Sequence, residues 1–236
     1  MRPAGPASGG RIPFWRLLDA PARAELTAVA RRVRYPAGAA LLQQHEHSDH
    51  LLVIERGCVK VLVESGAGYR AILAIRGDGD LLGEQAGLDG GARSATLHAL
   101  TEVTALHIPL SRFGAVQHAN PAVAQALQQV LSGRLRDADQ QRAATGSAVV
   151  RPRLAALLLE LAERYGDPAP TGEVRISLPL SQDDLAGLVL SSRRTVNRLL
   201  EEWRDAGWLR TGRREIELLH PAELEKLARA EGRLPP

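Results

Sequence analysis

Gly83-Glu84-Gln85-Ala86 and, after a Gly-rich turn, Arg93-Ser94-Ala95-Thr96 bring a carboxylate, an arginine and a hydroxyl into one short stretch. A glycine without Cβ lets a phosphate or a ribose approach the backbone N–H closely. Glu84 can accept two hydrogen bonds, which suits a sugar hydroxyl. Gly87, Gly90 and Gly91 allow the chain to bend back and return Arg93 to the same small space. The planar fork of arginine matches two phosphate oxygens and stays charged, so Arg93 is the natural anion clamp, and Ser94 adds a hydroxyl beside it. Gly83, Glu84, Gln85, Arg93 and Ser94 thus read as a pocket for a small phosphorylated ligand. The same residues also allow a plainer reading, in which Glu84 and Arg93 pair across a surface loop that any Gly-rich turn could host.

A second segment carries different chemistry. Ser191-Ser192-Arg193-Arg194-Thr195-Val196-Asn197-Arg198 lies inside a helix–turn–helix pattern over residues 180–207. Ser181, with Asp184 three residues on, forms a variant capping box, and Gln182 opens the first helix. Val189-Leu190-Ser191 is the turn, and the second helix follows from Ser192 to Ala206 with Gly207 as its stop. Val196, Leu199, Leu200 and Trp203 face inward, which leaves Arg193, Arg194, Asn197 and Arg198 on the exposed face near the helix start. Arginine pairs with guanine edges and asparagine with adenine, so these side chains can read bases. Residues 208–219 form a small hairpin whose Arg213 and Arg214 are placed to touch phosphates. Seven arginines stand between Ser191 and Arg214 against Glu201, Glu202 and Asp205, an excess that favours a polyanion. Ser181, Gln182, Ser191, Ser192, Arg193, Arg194, Thr195, Asn197, Arg198, Arg213 and Arg214 are the candidate DNA contacts.

Other elements must position these two sites. Residues 1–10 are rich in Pro, Gly, Ser and Ala with no pattern to bury, and are expected to be disordered. Residues 15–33 carry Leu18, Leu26, Val29 and Val33 at helical spacing. From Tyr35 to Ile108 short alternating runs separated by turns point to an antiparallel β-roll. A short helix over 109–118 follows. Asn120-Pro121 then opens a long helix to about Ala144, since Asn caps well and Pro suits the first helical position. Val123, Leu127, Val130 or Leu131, Leu135, Ala138 and Arg142 fall near one stripe, for packing on its own domain or against a second copy. Thr145-Gly146-Ser147 is a hinge or an ordinary helix stop. An amphipathic helix over 150–165 leads into the helix–turn–helix.

The segment Leu82-Gly83-Glu84 through Arg93-Ser94-Ala95-Thr96 resembles the phosphate-binding cassette of cyclic-nucleotide-binding domains. Tyr35-Pro36-Ala37-Gly38 and residues 51–61 resemble the flanking strands of that domain. With its C-terminal segment, the chain from about Phe14 to Leu227 is similar to the cyclic-AMP receptor protein (CRP/FNR) family of bacterial regulators. The resemblance implies that Gly83 and Glu84 hold the ribose and phosphate edge, that Arg93 holds the cyclic phosphate and that Ser94 supports it. It further implies a homodimer through the long helix, bound to a near-palindromic double-stranded DNA, with RNA polymerase as a partner if the protein activates transcription. Three features depart from the family pattern. Leu190 stands where the turn usually has Gly, Arg194 where it usually has Glu, and Ala138-Asp139 where cyclic-AMP regulators carry a base-holding Thr-Ser pair. An ionised Asp139 only accepts hydrogen bonds, which suits the adjacent donors of guanine at least as well as the adenine amino group.

The expected fold class is therefore α+β. A disordered tail (1–10) precedes a jelly-roll-like cyclic-nucleotide-binding domain (11–118), a dimerisation helix with hinge (119–146) and a winged helix–turn–helix domain (147–236). The expected function is a ligand-responsive, DNA-binding transcriptional regulator, with cAMP or cGMP as effector, no other cofactor and no catalytic residues. An effector-independent regulator, or one that senses a different ligand, is the alternative. The formal charge of +3 adds little to this, and the single cysteine, Cys58, excludes a disulfide framework and a cysteine-ligated iron–sulfur cluster. A metal site at His45, His47 and His50 is a distant third reading. No apolar run is long enough for a bilayer, no signal-peptide core is present, and a cytoplasmic location is expected.

Overall fold

Asp19 starts the first substantial helix by accepting a hydrogen bond from Ala22 N at 2.8 Å, with Pro21 in its first turn. In the computed structural model, which describes residues 12–64, 70–145, 150–212 and 214–229, this helix is α2 (Ala20–Ala28), preceded by α1 (Phe14–Leu17). The helical pattern does not continue to Val33. β1 (Arg31–Tyr35) begins instead, and Val33 pairs with Ala105 in a sheet. The disorder expected for residues 1–10 concerns residues outside those described.

The strands that follow are β2 (Ala40–Leu42), β3 (His50–Arg56), β4 (Val59–Glu64), β5 (Arg70–Arg76), β6 (Leu81–Leu82), β7 (Thr96–Ala99) and β8 (Val103–Pro109), with the short helix α3 (Glu84–Asp89) between β6 and β7. They form two four-stranded sheets, ordered β1-β8-β3-β6 and β2-β7-β4-β5. The pairings of β3 with β8 and β6, and of β2 with β7, are antiparallel, as a β-roll requires. Leu51, Leu52, Val53 and Ile54 in β3 are all buried, so that strand is covered on both faces. Next come α4 (Leu110–Ala119) and α5 (Pro121–Thr145), the latter capped by Asn120, whose Oδ1 accepts from Ala122 N at 3.1 Å.

The chain separates into two compact units, one of Met1–Val59 with Arg76–Ala144 and one of Lys60–Ile75 with Thr145–Pro236. The core of the first joins Phe14, Leu18 and Leu26 to Leu51, Val53, Leu81, Leu106, Ile108 and Phe113. Val123, Leu127 and Val130 belong to this same core. The front half of the α5 stripe is thus spent within its own unit, whereas Leu135, further along, is exposed.

The second unit carries α6 (Val150–Tyr165), β9 (Gly166–Pro168), β10 (Val174–Ile176), α7 (Gln182–Leu188), α8 (Arg193–Asp205), β11 (Leu209–Thr211), β12 (Ile216–Leu218) and α9 (Pro221–Arg229). The sheet order β11-β12-β10-β9 shows that the wing is a four-stranded sheet rather than a lone hairpin. Two of its strands, β9 and β10, lie between α6 and α7, where the sequence reading placed no strand. Trp203, Leu154, Leu158, Ile176 and Leu185 are fully buried in this unit. Leu190 adopts the left-handed conformation at φ 50°, the region that its turn position demands and that a branched side chain rarely enters. Gly146 and Ser147, named as a hinge, lie outside the described residues.

Candidate functional site

β6 ends at Gly83, whose φ of 79° is left-handed and turns the chain sharply into α3. A Cβ on Gly83 would lie 2.6 Å from Arg93 Nη1, so a side chain here would displace the guanidinium. Glycine is required on both counts, by backbone conformation and by close approach.

Glu84 and Arg93 are both buried, at 5% and 3% exposure, yet they do not form the loop ion pair that spacing alone allowed. Glu84 Oε1 instead accepts from Arg134 Nη1, on α5, and Arg134 Nη2 donates to Leu81 O at 2.5 Å. Arg93 turns into a wall of oxygens. Its Nε donates to Ser48 Oγ at 2.7 Å, its Nη1 to Gly83 O at 2.6 Å, and its Nη2 to His50 O at 2.5 Å and Ser48 O at 3.3 Å. Burial pulls the Arg93 guanidinium below its ordinary pKa, against which the charges of Glu84 and Asp49 act. Ser94 Oγ donates to Gln85 Oε1 at 2.5 Å, which closes the loop on its outer side.

Of the ligand-binding candidates, the structure thus gathers Gly83, Glu84, Gln85, Arg93 and Ser94 around one cradle. Ala138 and Asp139 lie on α5 beyond it. Ala138 follows Arg134 by one turn on the same face and is half-buried. Asp139 is exposed and pairs with Arg142 at 3.6 Å.

Arg134 is the residue that the reading of the sequence missed. The signal was present: positions 123, 127, 130 and 134 continue one helical stripe, and an arginine on a stripe otherwise buried needs a buried partner. Arg93 is therefore not the sole fixed cation of the cradle.

The loop His45-Glu46-His47-Ser48-Asp49-His50, weighed as a metal site, serves as a clasp. His45 N donates to Arg93 O at 2.9 Å and Arg93 N donates to Glu46 O at 2.8 Å. His45 holds a left-handed φ of 70° to make this turn. His50 stacks on His107 of the neighbouring strand, ring centroids 4.0 Å apart. Burial, with the adjacent His107 and Arg93, pushes the His50 pKa down to about 4. Among the described residues no three His, Cys, Asp or Glu converge as metal ligands.

In the second unit the capping box is complete. Ser181 Oγ accepts from Asp184 N at 3.0 Å, and Asp184 Oδ2 accepts from Ser181 N at 2.8 Å. Ser192 Oγ caps α8 by accepting from Thr195 N at 3.1 Å. Ser181 and Ser192 are exposed and Gln182, Ser191 and Thr195 half-buried near the two helix starts. Arg193, Arg194 and Arg198 are exposed on α8, with Arg193 Nη1 3.5 Å from Asp183 Oδ2. Asn197 departs from the expected exposed face. It is half-buried, and its Oδ1 is shielded without a hydrogen-bond partner. Arg151, at the start of α6, grips Glu202 of α8 with two bonds of 2.7 and 2.6 Å, a pin that holds the back of the arginine-bearing helix. Arg214 is exposed between β11 and β12, and Arg213 lies outside the described residues.

Residues 32–120 match the cyclic nucleotide-binding domain family, and residues 152–227 the Crp-like helix-turn-helix domain family. A CRP-like cAMP-activated global transcriptional regulator of Mycobacterium tuberculosis is 31% identical over 219 residues, which span 93% of this chain and 96% of that protein. The cyclic AMP receptor protein of Thermus thermophilus is 30% identical, over 84% of this chain and 88% of the relative. Among solved structures, a CRP/FNR-family transcriptional regulator from Thermus thermophilus superimposes with a TM-score of 0.69 at 27% identity, covering 84% of this chain and 98% of that one.

Proposed function

Because the chain belongs to the CRP/FNR family of transcriptional regulators, we propose that its DNA binding is gated by a cyclic nucleotide held at Gly83, Glu84, Gln85, Arg93 and Ser94. One observation carries this reading: a buried arginine sits directly over a left-handed glycine, beside a buried carboxylate that a second arginine already satisfies. Burying charge is costly unless it is used, and a cradle with two guanidinium groups and one carboxylate has a net positive balance for a phosphodiester. Arg134 ties this cradle to α5, so a ligand that alters the Glu84–Arg134 pair acts on the long helix without an intermediary.

The base of the nucleotide is adenine or guanine, read by Ala138 and Asp139 on α5. Guanine is favoured to the extent that Asp139 offers only acceptors. The relatives described as cAMP-activated support cyclic AMP. The protein acts as a homodimer through α5, where exposed Leu135 offers an apolar contact. Its two recognition helices meet half-sites of a near-palindrome about one helical turn, ~34 Å, apart. Arg193, Arg194 and Arg198 read base edges there. Ser181, Gln182, Ser191, Ser192, Thr195, Arg213 and Arg214 hold the backbone, and Asn197 is a reader only if its amide turns outward. RNA polymerase is the further partner if the regulator activates. The protein works in the cytoplasm and catalyses no reaction.

Isothermal titration of the full chain with cyclic AMP and with cyclic GMP tests the pocket and ranks the two. Arg93→Ala should weaken binding by roughly 1.5–3 kcal/mol, the worth of a charge-assisted hydrogen bond. Equal affinity in the variant and the wild type would overturn the assignment of the cradle.

A further inference from the structure

Arginine has five N–H donors, and at least four of those on Arg93 are already committed within the chain. Three of the acceptors are backbone carbonyls, of Gly83, Ser48 and His50. The fourth, on Nε, is the Ser48 hydroxyl at 2.7 Å. At most one N–H, on Nη1, remains for a ligand. A bidentate grip on a phosphate needs two donors along one edge of the guanidinium, so the arginine as it stands cannot provide it. The carbonyls of Gly83 and His50 adjoin the ends of β6 and β3. Both Ser48 acceptors sit instead on the half-buried loop before β3, where its carbonyl accepts at the longer 3.3 Å and its hydroxyl rotates about one bond.

We propose that Ser48 is a positioning residue that latches Arg93 against the wall of the cradle, its Oγ occupying the place of a phosphate oxygen on Nε. The inference rests on the anion-binding reading of the cradle. An incoming phosphodiester must displace the Ser48 hydroxyl, and the strength of that hydrogen bond then subtracts from the affinity. Such a bond, with a charged donor, is worth a factor of roughly 10 to 150 in an equilibrium. The latch also explains how a buried arginine with its pKa lowered by burial stays satisfied: the loop that His45 and Glu46 stitch to the Arg93 backbone delivers Ser48 to its side chain.

The test uses Ser48→Ala, Ser48→Thr and Ser48→Asp in the full chain. Ser48→Ala removes the competitor and should tighten cyclic AMP or cyclic GMP, whichever binds the wild type, by roughly 10- to 150-fold. Ser48→Thr keeps a hydroxyl and should match the wild type. Ser48→Asp puts a carboxylate on Nε and should weaken binding more than about tenfold. A loss of affinity in Ser48→Ala, or none of these changes, overturns the latch. A second readout does not depend on the ligand. The Arg93 Nε–H resonance should be protected from hydrogen exchange in the wild type and Ser48→Thr, and should lose that protection in Ser48→Ala. If neither nucleotide binds the wild type, the reading of the cradle fails, while the Nε–H signal still decides whether Ser48 holds Arg93.

Discussion

Arg134→Met is the sharpest test of the geometry, because it removes the guanidinium that hydrogen-bonds the buried Glu84 carboxylate. The side chains of Arg134 and Glu84 are 15% and 5% exposed, so water replaces little of what is lost. Breaking a buried pair from one side typically costs about 3–5 kcal/mol, since it strands the other charge. The loss of the bond to Leu81 O adds about 1 kcal/mol. Urea unfolding of the full chain, followed by circular dichroism, measures the penalty. The double variant Arg134→Met/Glu84→Met, with no charge left to strand, should lie within about 1 kcal/mol of the wild type. A single-variant penalty below about 1 kcal/mol would show that the pair is not desolvated and would refute the reasoning.

Two further outcomes are expected. Arg194→Glu should change the half-site returned by binding-site selection, whereas Arg214→Ala should weaken all sequences alike and flatten the salt dependence by roughly one unit of slope; an unchanged motif for Arg194→Glu would remove it from the base readers. His50, with its folded pKa near 4 below the unfolded value near 6.5, favours the unfolded state increasingly as pH falls through that window. His50→Phe, which keeps a ring on His107, should therefore lessen the acid loss of stability by an amount on the order of 2 kcal/mol, read as unfolding midpoints at pH 7 and pH 4.5.

The elements around both sites were legible in the chain because their signals are local. Asn120-Pro121 marks the start of α5, Ser181 with Asp184 the start of α7, and Gly207 the end of α8, each through hydrogen bonds or dihedrals within a few residues. The boundary missed near Val33 is not local in kind: a run of arginines with one Val suits a helix or a strand, and pairing with the distant β8 decides it. The wing sheet gained β9 and β10 for the same reason, since three-residue strands exist only through their partners.

The cradle divides along the same line. That Gly83, Glu84, Arg93 and Ser94 belong together follows from a loop of about ten residues, which the sequence displays. What each charge does is a matter of partners far along the chain. Glu84 meets Arg134 across 50 residues and Arg93 meets Ser48 across 45. Asn197 likewise lies at a helix position that spacing assigns to the surface, and the packing around it turns its carbonyl inward. Sequence spacing determines which side chains share a turn or a face, because the backbone repeats are short and regular. It does not determine which buried charge finds which acceptor, because burial and the resulting demand for a partner arise only when separate strands and helices close over one another.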